Sequence, residues 1–195
     1  MMNTYLDTNQ LLRAEADHLL SLGLFDILQQ HCDVTVVGSY ALNLMTWRDL
    51  DLYGDATDVD LESIYDIVNG ITPIYHPVWF EGKEDRMSDR RCFFVGFETD
   101  LLGTGRWNVD IWFFEREILD QQHADLTRLQ QEITQDIQQT ILRLKTTLCM
   151  RGDYGKTIQS IHLYDAVINH HLTTVNQIDA WMSTQIETSS PSVPG

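Results

Sequence analysis

Between residues 9 and 30 the apolar positions Leu11, Leu12, Ala16, Leu19, Leu20, Leu24 and Ile27 return every three or four residues. That is the period of a helix with one buried stripe, and it predicts an opening amphipathic helix that Gly23 bends or divides. Val34, Val36 and Val37 form a short β-branched run closed by Gly38, the pattern of a buried strand with a tight exit. A short helix over 40–45 and an alternating strand over 47–53 follow. Thr57 or Asp58 suits the cap of a helix through Leu61, Ile64, Tyr65, Ile67 and Val68, with Asn69-Gly70 as its stop. Strand-like runs occupy 71–80, 92–98 and 107–114. The polar stretch 82–91, with Lys83, Arg86, Arg90 and Arg91 among acids, reads as a solvated hairpin loop.

Beyond Glu117 the pattern changes. Leu126, Leu129, Ile133, Ile137, Ile141, Leu144 and Leu148 keep helical spacing, which predicts one helix over 120–149, about 45 Å long at 1.5 Å per residue, ended by Gly152. Two shorter helices are expected through Ile158, Ile161, Tyr164, Val167 and Ile168, and through Val175, Ile178, Trp181 and Met182. The expected fold class is α/β (α+β): a small mixed sheet with an N-terminal helix and a C-terminal helical bundle. Its divisions are an α/β domain over 1–117, a helical region over 118–187 and a disordered tail over 188–195.

Composition narrows the function classes. The 195 residues carry 13 basic and 29 acidic side chains, net −16, which disfavours a nucleic-acid or anionic-membrane partner. Cys32, Cys92 and Cys149 form no C-x-x-C pair and read as buried thiols of a reducing compartment. With no leader-like start and no run of about 18 apolar residues, a cytoplasmic protein is expected. His162, His170 and His171 stand at i, i+8 and i+9, a spacing that does not gather a zinc site.

The chemistry concentrates in Val36-Val37-Gly38-Ser39 and, nine residues on, Asp49-Leu50-Asp51-Leu52. Strand residues two apart share a face, so Asp49 and Asp51 project together while Leu50 and Leu52 turn to the core. Two adjacent carboxylates repel unless a cation lies between them, and hard oxygen ligands suit Mg²⁺. Asp110 lies inside the apolar strand 107–114, where an acid is costly unless paired or metal-bound. Val109, Ile111 and Phe113 would face the core, leaving Asp110 free to meet Asp49 and Asp51. Three such carboxylates can hold two divalent ions, the clamp of in-line phosphoryl displacement. Gly38 lets the backbone approach a phosphate, and Ser39 can donate to it. Of only three lysines, Lys145 and Lys156 are candidate charges for the phosphates.

A hydrophobic strand ending in Gly-Ser, a short helix, an Asp-x-Asp strand and a later strand with a third Asp resembles the DNA polymerase beta-type nucleotidyltransferase superfamily. The resemblance covers about residues 30–115. It implies Gly38 and Ser39 for the nucleotide's terminal phosphates, Asp49 and Asp51 for Mg²⁺, and Asp110 for metal and for activating the attacking hydroxyl. The helical C-terminal half is similar to that of small-molecule adenylyltransferases that inactivate antibiotics. The implied function is transfer of a nucleoside monophosphate, AMP foremost, from a nucleoside triphosphate to a hydroxyl of a small acceptor, with a two-metal Mg²⁺ site. The acidic surface favours a cationic acceptor such as an aminoglycoside or a lincosamide-like amine. The alternative is a noncatalytic or antitoxin-like interaction protein that keeps the fold.

Overall fold

The structure is a computed structural model, and it describes residues 4–84 and 92–189, the last five of these by backbone alone. The helical pattern at the N-terminus forms α1 (Thr4–Ser21) and α2 (Leu24–Leu28), divided at Gly23, whose φ of 108° only glycine adopts readily. Five strands follow: β1 (Val34–Val36), β2 (Asp49–Asp55), β3 (Trp79–Glu84), β4 (Cys92–Thr99) and β5 (Trp107–Phe114). Between β1 and β2 lies the one-turn helix α3 (Gly38–Ala41), earlier than the expected 40–45, and α4 (Leu61–Tyr75) joins β2 to β3.

The sheet order is β1-β2-β5-β4-β3, with β2 and β5 parallel and every other pair antiparallel. One face carries Leu50, Leu52, Phe93, Val95, Phe97, Val109, Ile111 and Phe113, and it buries against Leu12, Ala16, Leu19, Ile27, Ile64 and Ile67 of α1, α2 and α4. Tyr75 seals this layer, its hydroxyl donating to the Leu19 carbonyl at 2.8 Å.

Two expectations for α4 are corrected. Its cap is Asp60, which accepts from the Ser63 amide and hydroxyl, rather than Thr57 or Asp58. The helix also runs through Asn69-Gly70 and Pro73 to Tyr75, so 71–75 is helical and not strand. Gly70 serves close packing instead: a Cβ there would lie 2.9 Å from Ile27 Cγ2. His76, at φ 46°, ends the helix.

The expected single helix over 120–149 is two, α5 (Arg116–Glu132) and α6 (Gln135–Arg151). Thr134 divides them by capping α6 through the Ile137 amide, a local hydrogen bond that outcompetes the continuous stripe. Helices α7 (Ser160–Ile168) and α8 (Val175–Ser189) complete the chain, so residues 188 and 189, expected in the tail, are helical. Arg86, Arg90, Arg91 and the remainder of the tail lie outside the described residues.

The chain divides into two compact units. Thr8–Gln131 contains the sheet, and residues 132–189 with residues 4–7 form the other. In the helical unit α6 buries Ile141, Leu142, Leu144 and Leu148, and Arg151 pairs with Asp179 of α8 at 2.9 Å. No helix among the described residues is long and apolar enough to cross a membrane.

Candidate active site

Alternation along β2 sends Leu50 and Leu52 into the core at 0% exposure and leaves Asp49, Asp51 and Tyr53 half-buried on the opposite face. β5 alternates the same way, with Val109 and Ile111 inward and Asn108, Asp110 and Trp112 outward. The parallel register sets Asp51 beside Asp110 and Asp49 beside Asn108, on strands about 4.8 Å apart. Strand parity therefore brings the three carboxylates to one face, as the sequence pattern predicts.

The acids are crowded. Burial pushes the Asp110 carboxyl up to about 6, the charges of Asp49 and Glu81 add to the rise, and a hydrogen bond from Asn108 opposes it. The Tyr53 phenol is pushed up to about 12, first by burial and then by the Asp51 charge. Asn108 Nδ2 donates to Asp49 Oδ1 at 2.8 Å. On the other side of Asp110 the β4 residue is Gly96, where a Cβ would meet the Phe94 ring and come within 3.3 Å of Asp110 Oδ1. Phe94 and Trp112, with ring centroids 4.4 Å apart, follow in the next row across the sheet.

The Gly38-Ser39 turn lies against Asp51. Val37 N–H donates to the Asp51 carbonyl at 2.9 Å, and Gly38 has φ 62°. A Cβ at Gly38 would run into the Asp51 carboxylate, so both backbone shape and space call for glycine. Ser39 is buried at the start of α3, beside this junction.

The side chains that brace the turn come from α1 and were not singled out from the sequence. Asn9 accepts from the Met45 amide at 2.8 Å and donates to Asn43 Oδ1 at 2.7 Å. Tyr40 donates to Asp17 at 2.6 Å, while the Arg13 guanidinium lies 4.6 Å from the Tyr40 ring centroid and donates to the Tyr40 carbonyl. Glu15 takes both Nε and Nη2 of Arg48, at 2.8 and 3.1 Å, and the Trp107 indole N–H at 3.2 Å. Burial works to raise the Glu15 carboxyl, yet hydrogen bonds from Arg48, Thr104 and Trp107 and the Arg48 charge carry it below the usual carboxylate value. One signal was available: Asn9 shares the buried stripe of α1 with Leu12, Ala16 and Leu19, and a fully buried amide needs partners.

Lys145 and Lys156 belong to the helical unit. Lys145 is buried on α6 with its Nζ 5.5 Å from the Tyr154 ring centroid, and Lys156 is exposed on the turn before α7. Among the described residues no three His, Cys, Asp or Glu side chains are drawn together as a ready metal cage. Asp49 is held by Asn108 and Asp51 rests against Gly38. The donor chemistry is nonetheless of the kind Mg²⁺ takes, hard carboxylate oxygens of Asp49, Asp51 and Asp110 on one sheet face.

No family model matches the chain, and no curated protein matches its sequence. Solved structures do match in fold. A cytoplasmic RNA terminal U-transferase aligns over 80% of this chain and 44% of its own, at 15% identity and TM-score 0.53. Terminal uridylyl transferase 4 from Trypanosoma brucei, with bound dUTP, aligns over 99% of this chain and 66% of its own, at 15% identity and TM-score 0.54. The Cid1 poly(U) polymerase, bound to Mg and 3′-dATP, aligns over 73% and 42%, at 17% identity and TM-score 0.50. The chain thus spans less than half of two of these proteins and about two thirds of the third. The chain thus shares the fold of these terminal uridylyl transferases, in line with the expected mixed sheet with flanking helices.

Proposed function

We propose that this chain is a Mg²⁺-dependent nucleotidyltransferase that moves a nucleoside monophosphate from a nucleoside triphosphate to an acceptor hydroxyl. The observation that carries this reading is the in-register placement of Asp51 and Asp110, with Asp49, on the sheet face that Gly38 adjoins. The unit Thr8–Gln131 contains all of these groups, without drawing on Lys145 or Lys156.

Asp49, Asp51 and Asp110 would hold the divalent ions, which when bound neutralise phosphate charge and steady the attacking and leaving oxygens. The Gly38 backbone leaves room for the terminal phosphates, and Ser39 Oγ donates to them. Asp110, on the same face as Asp49 and Asp51, is the carboxylate we assign to taking the acceptor's hydroxyl proton. We take ATP as donor and a small cationic hydroxyl compound as acceptor, because a chain of net charge −16 repels polyanions and attracts amines.

A second reading has a specific observation behind it. The fold neighbours include an RNA terminal U-transferase and a poly(U) polymerase, which favours UTP and the 3′ hydroxyl of RNA. A noncatalytic role is disfavoured, since a binding module gains nothing from clustered, partly buried like charges.

The test supplies each α-³²P-labelled nucleoside triphosphate with Mg²⁺ and either an aminoglycoside, a lincosamide-like amine or a uridine oligonucleotide. Label on the amine supports the first reading, and label on the oligonucleotide the second. No binding of Mg²⁺ and nucleotide by calorimetry would overturn both.

A further inference from the structure

We propose that Asn108 is a positioning residue whose amide bridges Asp49 and Asp110 and sets how both carboxylates are presented to a divalent cation. This deepens the Mg²⁺-dependent reading above and rests on it.

Asn108 stands at the centre of an acidic field. Across the sheet it is registered with Asp49 of β2 on one side and Glu98 of β4 on the other, and Asp110 follows two residues along on the same face. Glu98 is answered by Arg106 at 3.0 Å. Asp49 is answered by Asn108 itself, which donates to Asp49 Oδ1 at 2.8 Å, and the same side chain works to lower the neighbouring Asp110 carboxyl against the rise that burial causes. A side-chain amide carries two N–H donors and no charge, so it can serve two carboxylates without supplying a counter-ion. A lysine or arginine here would neutralise the cluster and compete with a metal, and an aspartate would add to the repulsion.

The strand context sharpens the point. Asparagine is disfavoured in strands, and the other outward residues of β5 before Phe114 are Asp110 and Trp112. The Asn108 backbone is anchored as well, its amide donating to the Arg48 carbonyl at 3.1 Å, and Arg48 is clamped by Glu15. Anchored main chain and hydrogen-bonded side chain together fix one oxygen of Asp49, and Asp110 lies two residues along on the same face, within the influence of the same amide. Groups that orient metal-binding carboxylates in this way typically cost 10- to 100-fold in metal affinity when removed.

The test uses the full chain and Mn²⁺ as the probe, with free Mn²⁺ read by electron paramagnetic resonance. Asn108→Leu keeps the volume and removes both donors. Its Mn²⁺ affinity should fall about 10- to 100-fold while circular dichroism shows a folded protein. Asn108→Ser, too short to reach both carboxylates, should show the same loss and serves if the leucine variant does not fold. Wild-type affinity in a folded variant would overturn the proposal. A second arm needs no metal: melting temperatures in EDTA for Asn108→Leu, Asp49→Ala, Asp110→Ala and the two double variants that contain Asn108→Leu. Asn108→Leu should be non-additive with each aspartate change by several degrees, and additivity with either would overturn the bridge. A wild-type chain that binds no Mn²⁺ would overturn the nucleotidyl-transfer reading and the metal role of Asn108 together, leaving the melting cycle to decide the bridge separately.

Discussion

Gly38→Ala should damage the chain in two separable ways. Gly38 has φ 62°, where an L-residue costs about 1–2 kcal/mol. Its missing Cβ would also strike the Asp51 carboxylate, and forcing atoms into a packed site costs about 1–3 kcal/mol. The sum is about 2–5 kcal/mol. For a chain of this length, each kcal/mol lowers the melting temperature by about 2–4 °C, so the variant should melt about 4–20 °C lower. Nucleotidyl transfer should fall further than stability alone explains, because displacing Asp51 misplaces a carboxylate at the site. Urea melts of Gly38→Ala in wild-type and Asp51→Ala backgrounds separate the two costs. With Asp51 truncated most of the steric part goes, because only the Asp51 Cβ, 3.1 Å away, stays in close contact, and the cost should fall toward the backbone part of about 1–2 kcal/mol. An equal cost in both backgrounds would refute the contact, and wild-type stability of the single variant would refute the left-handed turn.

Further outcomes follow from the same geometry. The folded Asp110 carboxyl, near 6, lies above its unfolded value of about 3.9, so the folded state holds the proton more tightly and Asp110 supports folding at low pH. That support is lost as pH rises from about 4 to about 6. Metal-free Asp110→Asn should therefore exceed wild type by about 1–3 kcal/mol at pH 7.5 and match it near pH 4, as urea melts at both pH values would read. A pH-independent difference would exclude burial and charge crowding as the cause. Asp51→Asn should abolish Mg²⁺-dependent label transfer while leaving melting unchanged or slightly raised, since one repelling charge is gone. Truncation after Arg151 removes α7 and α8 from the stripe Ile141, Leu144 and Leu148, and light scattering should show association or aggregation. A monomeric, soluble product would show that α6 does not need that cover.

Short-range pattern determined a good deal by itself. Alternation of aspartate with leucine in Asp49-Leu50-Asp51-Leu52, and of Asp110 with Val109 and Ile111, settles which side chains share a face, because strand geometry has a period of two wherever one face is buried. Where a tertiary contact overrode local preference, the pattern misled. Asn69-Gly70 looks like a helix stop, yet Gly70 is where α4 lies close to Ile27 and the helix runs on to Tyr75. The apolar spacing from Leu126 to Leu148 continues past Thr134, so the stripe hides a helix break that depends on one capping hydroxyl. The braces were also hidden: Asn9 to Met45, Glu15 to Arg48 and Asn108 to Asp49 join residues 33 or more apart, and no local periodicity specifies a polar partner at such range. Sequence spacing showed that Asp110 would face outward, but only the strand order, with β5 inserted beside β2, set it next to Asp51. Periodicity is a property of neighbouring residues, whereas strand order comes from packing the whole sheet against its helices, and the site depends on both.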